Sequence, residues 1–297
     1  MALNPLQPTP TLADSEFEWS RLKGFFQRVL GSLSGHSQEL LSFDDVREKL
    51  RLGGPIYRGV QDVPLDKIVG SVDRYKDFDR RFMPKQSHSE QKWQRVNRAW
   101  YREENLPPVM LYQVGEVFFV IDGHHRVSVA RSHGQPTIEA EVRECRARVP
   151  VTPDIDADAL ERLGDRVDFL ERTRIDVLRP HSSIETTLLG GYDRLLEHIA
   201  VHRYYMGVEQ GREIPEDEAV IDWHDTLYAP VAGVAEGSDL LAELPGRTST
   251  DMYLWVMDHL HYLRNRAGGE VVDPITAAAD FLERPAGLKD DERPSGG

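Results

Sequence analysis

Residues 109–142 read VMLYQVGEVFFVIDGHHRVSVARSHGQPTIEAEV, and the succession of textures in this stretch sets the expected fold. Val109 to Val114 and Val117 to Ile121 are apolar runs of strand length separated by Gly115-Glu116, the pattern of a β-hairpin whose second strand is buried on both faces. His125 to His133 has the texture of a short helix, and Gly134 is placed to end it. Ile138, Ala140 and Val142 then alternate as a further strand. Strand, turn, strand, helix, strand describes a small α+β domain that ends near Cys145.

The chemistry of this stretch concentrates at Asp122-Gly123-His124-His125-Arg126, where the buried strand hands over to the helix. Gly123 allows a ligand close to the backbone, and the first turn of a helix presents unpaired N–H groups with partial positive charge. Such a turn favours phosphate, and His124, His125 and Arg126 add donors there, Arg126 with bidentate capacity. Asp122 would repel phosphate, so its expected work is to orient a histidine, hold Mg2+ or accept a proton from a hydroxyl. Asp122 and His124 are therefore the catalytic candidates. Adjacent histidines point in different directions on a helix, so one of the two is expected to serve structure. No third ligand stands at zinc spacing, and Cys145 lies at the far end of the following strand, too far along to form a Cys–His pair.

Upstream, Met1 to Ala13 reads as an arm with three prolines, Ser15 to Leu30 as an amphipathic helix, and Ser42 as the cap of a second helix that Gly53-Gly54-Pro55 ends. Ile56 to Val60 and Val63 to Val69 read as two strands with an interposed turn. Arg74 to Arg102 holds nine basic residues against Asp77, Asp79 and Glu90. Trp93, Val96, Asn97 and Trp100 recur there at helical spacing, predicting a helix with an aromatic inner face and a basic outer one that stops at Leu106-Pro107-Pro108.

The 297 residues carry a formal charge of −14, unevenly spread: residues 151–297 hold 30 Asp/Glu against 14 Lys/Arg, which leaves residues 1–150 at +2. An acidic chain lacks the footprint needed for wholesale nucleic-acid binding. One cysteine excludes an internal disulfide. With no long apolar run and no basic, apolar leader, the chain reads as cytoplasmic. Beyond Asp158 the texture is helical. There His202-x-x-Tyr205, Gly211-x-Glu213-Ile214 and Asp222-Trp223 recur 57 to 58 residues later as His259-x-x-Tyr262, Gly268-x-Glu270-Val271 and Asp280-Phe281. This weak repeat predicts two helix pairs in one bundle, burying Tyr205 with Trp223 and Tyr262 with Phe281. The resulting division is 1–54 arm and helices, 55–148 α+β domain, 156–284 helical domain and 285–297 disordered tail.

Taken together, Pro64-Leu65-Asp66-Lys67-Ile68-Val69, the arginine-rich loop, Pro107-Pro108-Val109 and Phe119 to Ala130 resemble the ParB/sulfiredoxin fold over roughly residues 55 to 145. The resemblance implies that the strand-to-helix turn holds nucleotide phosphates, with Gly123 and Arg126 as phosphate contacts and His125 at the position of a sulfiredoxin histidine. Arg74, Arg80 and Arg81 would approach the same ligand from the loop after the first strands. His124 stands where sulfiredoxins have their nucleophilic cysteine, and the acidic residue that follows the glycine in ParB is absent. Free serine kinases have Asp-Gly-His-Thr-Arg there. The implied functions are a nucleotide-dependent regulatory or NTP-hydrolysing protein, alternatively an ATP- or ADP-dependent small-molecule kinase, with a DNA-binding or nuclease module as a third. The implied ligand is a nucleoside di- or triphosphate, with Mg2+ in the phosphoryl-transfer readings. The C-terminal half resembles an uncharacterised bacterial helical domain, and its acidity suits a protein partner or a homodimer.

Overall fold

The computed structural model describes residues 40–80, 82–85, 90–237, 241, 244–266 and 273–283. The arm, the Ser15 to Leu30 helix, the tail and Arg81 lie outside the described residues. The chain divides into two compact units, Met1–Gly164 and Asp165–Gly297. The architecture is α+β: a mixed sheet in the first unit and helices in the second.

In the first unit the elements are β1 (Leu41–Ser42), α1 (Phe43–Lys49), β2 (Ile56–Pro64), β3 (Ile68–Ser71), α2 (Glu90–Tyr101), β4 (Val109–Val114), β5 (Val117–Asp122), α3 (His124–Ser132) and β6 (Thr137–Glu144). The six strands lie in the order β1-β3-β5-β4-β6-β2. β5 pairs parallel with β3 and antiparallel with β4, and β4 pairs parallel with β6. The sequence of β5 suits an inner strand, since Val117, Phe118, Phe119 and Val120 are all buried and can fill both faces. Gly70 of β3 admits this packing, because a Cβ there would fall 2.4 Å from a ring carbon of Phe119.

The expected turn near Gln61-Asp62 is not formed. β2 runs unbroken to Pro64, held antiparallel along the whole of β6, and the chain turns instead through one 3-10 turn at Leu65–Lys67. The eight-residue partner strand overrides the local turn signal, and a bulge at Gly59 (φ 86°) absorbs the change of register. Elsewhere the hairpin, α3 and β6 follow the expected bounds. The Ser42 hydroxyl accepts from the Asp45 N–H, capping α1 as expected, but that helix ends at Lys49, before the glycines.

Helices α4 (Ala157–Thr173), α5 (Ile175–Leu178), α6 (Gly191–Gln210), α7 (Glu216–Trp223), α8 (Ala229–Glu236), α9 (Ser249–Arg266) and α10 (Pro274–Glu283) follow. In the second unit α6 packs on α7, and α9 packs on α8 and α10. A π turn over His224–Tyr228 joins α7 to α8. Trp223 is fully buried, but its neighbours are Tyr228 and Tyr253, and its indole N–H donates to the Tyr253 hydroxyl at 3.0 Å. Tyr205 is 65% exposed, against the expectation from the repeat. The inner face of α6 carries Tyr192, Leu195, Ile199 and Met206, and Tyr205 is turned well off that face. The side chains of Tyr262 and Phe281, the second pair of the repeat, lie outside the described residues. At the start of α9, Asp251 is fully buried and accepts from the Thr186 and Thr187 hydroxyls and the Thr187 and Thr248 amides, tying the 186–187 segment to the helix. Among the described residues no helix is long and apolar enough to cross a membrane.

Candidate functional site

The site is assembled around the β5–α3 turn. Gly123 is the N-cap of α3 with φ 98°, a left-handed conformation open to glycine. Space requires glycine as well: a Cβ would lie 2.6 Å from Val109 Cγ1, 2.9 Å from Val109 Cβ and 3.1 Å from Arg126 Cζ. The Arg126 guanidinium therefore rests on the bare backbone of Gly123. It donates to the carbonyls of Pro107 and Pro108, the latter at 3.0 Å, and to Asp122 Oδ2 at 2.7 Å. Its side chain is 15% exposed, whereas that of Asp122 is 68% exposed. Arg126 thus ties the end of β5 to the approach to β4, and an anion reaching it must compete with these acceptors. The partner of Asp122 is this arginine and not a histidine.

The two histidines divide sharply. His124 is 6% exposed, stacks on Phe78 with ring centroids 5.8 Å apart, and has Nε2 2.7 Å from the hydroxyl of fully buried Ser71. Burial, then the nearby Arg74 charge, pushes its pKa down to about 4, so the ring is neutral near pH 7. His124 is the more enclosed of the pair, held between Ser71 and Phe78. His125 is half-buried, and its Nε2 lies 3.2 Å from Arg74 Nη1. A guanidinium only donates, so Nε2 accepts and the ring proton sits on Nδ1. That Nδ1 is buried without a hydrogen-bond partner. Burial first, then Arg74, His124 and Lys92, also hold the His125 pKa at about 4.

Of the arginines expected from the loop, Arg74 reaches this place. Its Nε donates to Asp77 Oδ2 at 2.8 Å, and the guanidinium lies 5.2 Å from the Phe78 ring centroid. Arg80 turns away, donating to the carbonyls of Pro153 and Ile155, and so fastens that segment. Its main-chain carbonyl accepts from Arg131, which also donates to the carbonyls of Leu65 and Ile68. Arg131 is thus a clamp between α3 and the turn before β3, a role with no local signal because these three acceptors are main-chain oxygens.

On the other flank of Arg126 lies a mostly apolar cavity of about 700 Å³ bordered by Trp100, Tyr101, Leu106, Pro107, Pro108 and Ile138. Helix α2 forms its wall. Trp93 is buried and donates its indole N–H to Ser128 Oγ at 3.0 Å, while Asn97 Oδ1 meets His133 Nε2 at 2.7 Å. Lys92, Arg95, Arg98 and Arg102 face outward, as the periodicity predicts. Trp100, expected on the inner face, is 37% exposed and stacks on His133 at 3.8 Å. Cys145 is buried, and burial raises its thiol pKa. Among the described residues no three His, Cys, Asp or Glu side chains gather as a metal site.

No protein-family model matches this chain, and no curated protein matches it. Among solved structures it is similar to a sulfiredoxin from Arabidopsis thaliana, with 18% identity over 30% of this chain and 89% of that one, at a TM-score of 0.24. It is also similar to the C-terminally truncated chromosome-partitioning protein ParB from Caulobacter crescentus, complexed with CTP-gamma-S, with 12% identity over 76% of this chain and 99% of that one, at a TM-score of 0.23. Likeness at this level carries no argument about activity, and the α+β architecture rests on the sheet itself.

Proposed function

We propose that the first unit binds a nucleoside di- or triphosphate, with the phosphates at the β5–α3 turn and the base and sugar in the adjoining apolar cavity, and that occupancy sets a regulatory state of the protein. The observation that carries this reading is the position of Arg126, which stands in the first turn of α3 and also borders the cavity of about 700 Å³. A nucleotide joins a flat, largely apolar body to a polyanion, and this junction offers a matching neighbour to each part. Arg74, whose guanidinium meets the His125 ring at 3.2 Å, supports the same reading from a second side of the turn. Binding exchanges the Asp122 carboxylate for phosphate on Arg126, and Asp122 is exposed enough to swing into solvent. Mg2+ would then enter on the phosphates.

Calorimetry with ATP, ADP, GTP and CTP, with and without Mg2+, tests the reading. Saturable binding of one of them is expected. Arg126→Gln should weaken it by roughly 1.5 to 3 kcal/mol, the range for a charge-assisted hydrogen bond. Asp122→Asn should tighten it by up to about 1 kcal/mol, because it releases Arg126 from an exposed ion pair. No binding of any nucleotide at millimolar concentration would end the proposal.

A second reading rests on the 68% exposure of the Asp122 side chain. With His124 buried, Asp122 is the group at the turn able to accept a proton from a small hydroxyl compound, as phosphoryl transfer from ATP or ADP requires. Nucleotide turnover that depends on an added serine-like acceptor and is lost in Asp122→Asn would favour this kinase reading. Acceptor-independent phosphate release would favour hydrolysis.

A further inference from the structure

The second unit holds a serine, a histidine and an aspartate joined in series. His224 is 9% exposed, its Nδ1 lies 2.8 Å from Asp225 Oδ1, and its Nε2 lies 2.8 Å from Ser182 Oγ. Arg179 donates to both oxygens of Asp225, from Nε at 2.8 Å, and together with the His224 contact it holds that carboxyl well below the usual carboxylate range. An ionised carboxylate only accepts, so the ring proton sits on Nδ1 and Nε2 is left to accept the Ser182 hydroxyl proton. This order of bonds makes a serine hydroxyl nucleophilic: the nitrogen takes the proton as Oγ forms its new bond, while the carboxylate fixes the tautomer. A hydrogen bond that only fastened a loop would need neither the arginine-held carboxylate behind the imidazole nor a cavity in front of it.

Such a cavity is present. Ser182 and His224 both border a mostly apolar space of about 370 Å³, whose wall includes Tyr228, Ala229, Ala232 and Gly233. The three small residues leave room for a short acyl chain, and Glu236 on the border disfavours an anionic one. Ser183 borders the same space, and its main-chain N–H has no hydrogen-bond partner among the described residues, which leaves it uncommitted for an oxyanion forming beside Ser182. The supporting backbone is fixed on both sides. The Ser182 N–H donates to the Arg179 carbonyl at 2.9 Å, and Thr186 and Thr187 bind buried Asp251 further along the segment. His224 opens the π turn, a distortion that helices frequently carry at functional sites.

We infer that the second unit hydrolyses a small, uncharged carboxylic ester, with Ser182 as nucleophile, His224 as general base, and Asp225 and Arg179 as positioning residues. Ser182 Oγ adds to the ester carbonyl carbon as its proton passes to His224 Nε2. The bond to the alcohol oxygen then breaks, and the alcohol leaves with that proton. Water, giving a proton to Nε2, cleaves the acyl-serine, which releases the carboxylic acid and restores the serine hydroxyl. This inference does not depend on nucleotide binding in the first unit. Incubating the full chain with a fluorophosphonate, which exchanges its fluoride for a serine oxygen, and locating the label by peptide mass spectrometry tests it. Labelling confined to Ser182 is expected in the folded protein and none in the urea-denatured chain. Hydrolysis of p-nitrophenyl acetate should saturate, with kcat at least about 100-fold lower in Ser182→Ala and in Asp225→Asn, the latter with KM within about twofold of the unaltered protein. Near-UV circular dichroism checks the fold of both variants, and if one unfolds, the label on the unaltered chain decides. No label on Ser182 in the folded protein, equal labelling of the denatured chain, or undiminished hydrolysis in either folded variant would each overturn the inference.

Discussion

Gly123→Ala tests the geometry of the β5–α3 turn directly, and its effect can be worked out from the coordinates. Alanine at φ 98° leaves the favourable regions of backbone space, at a cost of roughly 1 to 2 kcal/mol. The new methyl would then lie 2.6 Å and 2.9 Å from two carbons of Val109, a β-branched residue that is 1% exposed within β4 and has no room to retreat. Overpacking of this kind costs about 1 to 3 kcal/mol. The reduced freedom of the unfolded chain returns roughly 0.4 to 1 kcal/mol. The net expectation is destabilisation of the turn by about 2 to 4 kcal/mol. Gly134→Ala supplies the control, because Gly134 also has positive φ (71°) but nothing lies within 4 Å of its Cβ position. It should show the conformational part alone, about 1 kcal/mol. Hydrogen exchange of peptides covering β5 and α3 reads the local opening energy in both variants. Equal protection in the two would refute the argument that Gly123 is required by space as well as by backbone conformation.

Buried His124, with its pKa held at about 4, stabilises the fold fully above its unfolded value near 6.5. That contribution is lost as pH falls from 6.5 toward 4, by up to about 3 kcal/mol, so His124→Phe should reduce the pH dependence of urea unfolding between pH 7 and pH 4.5 and leave the part that His125 contributes. Trp93→Phe and Ser128→Ala each break the bond that docks α2 on α3 and should each cost about 1 to 2 kcal/mol, with the double variant costing clearly less than their sum; strict additivity would deny the bond any weight. Asp251→Ala strips the acceptor from Thr186, Thr187 and Thr248 and should cost about 3 to 5 kcal/mol in thermal unfolding. Burial alone would raise the Asp251 pKa, but its hydrogen bonds outweigh this and lower it. Its contribution should therefore be present above about pH 4 and fade as pH falls through the depressed value.

The α+β unit was legible because each of its elements carries its own local signal. The apolar run of β5 can only be an inner strand, Gly115-Glu116 can only be its turn, and Gly134 ends α3 where a left-handed residue is needed. What escaped was non-local. Whether Arg126 faces a ligand or the Pro107 and Pro108 carbonyls depends on how the approach to β4 returns beside α3, and no sequence spacing encodes that return. Arg80 was assigned to the ligand by its place in a loop, yet its acceptors lie more than 70 residues further along the chain. The histidine pair was legible as one structural and one presented residue, but Ser71 and Phe78 decide which is which. In the helical unit, helix type was legible and face was not: Tyr205 shares a repeat pattern with residues that are buried, while Ile199 and Met206 fix the inward side of α6.

The π turn at His224–Tyr228 introduces a phase slip into what would otherwise be one helix from Glu216 to Glu236. In an unbroken α-helix residues five apart point in well-separated directions, yet the Trp223 and Tyr228 rings stack obliquely at 5.1 Å. The wider turn therefore behaves as a one-residue insertion absorbed locally, which keeps Ala219, Val220 and Trp223 before it and Val231, Ala232 and Ala235 after it in one buried row. Deleting Thr226, whose side chain faces solvent and bonds back to the Asp222 carbonyl, would set Trp223 and the following tyrosine four apart and still on one face, with Pro230 leaving a kink where it cannot donate to the turn before it. Inserting a residue at the same point would have no such outlet and would rotate α8 away from its partners. The segment is thus asymmetric toward changes in length, open to shortening by one residue and closed to lengthening.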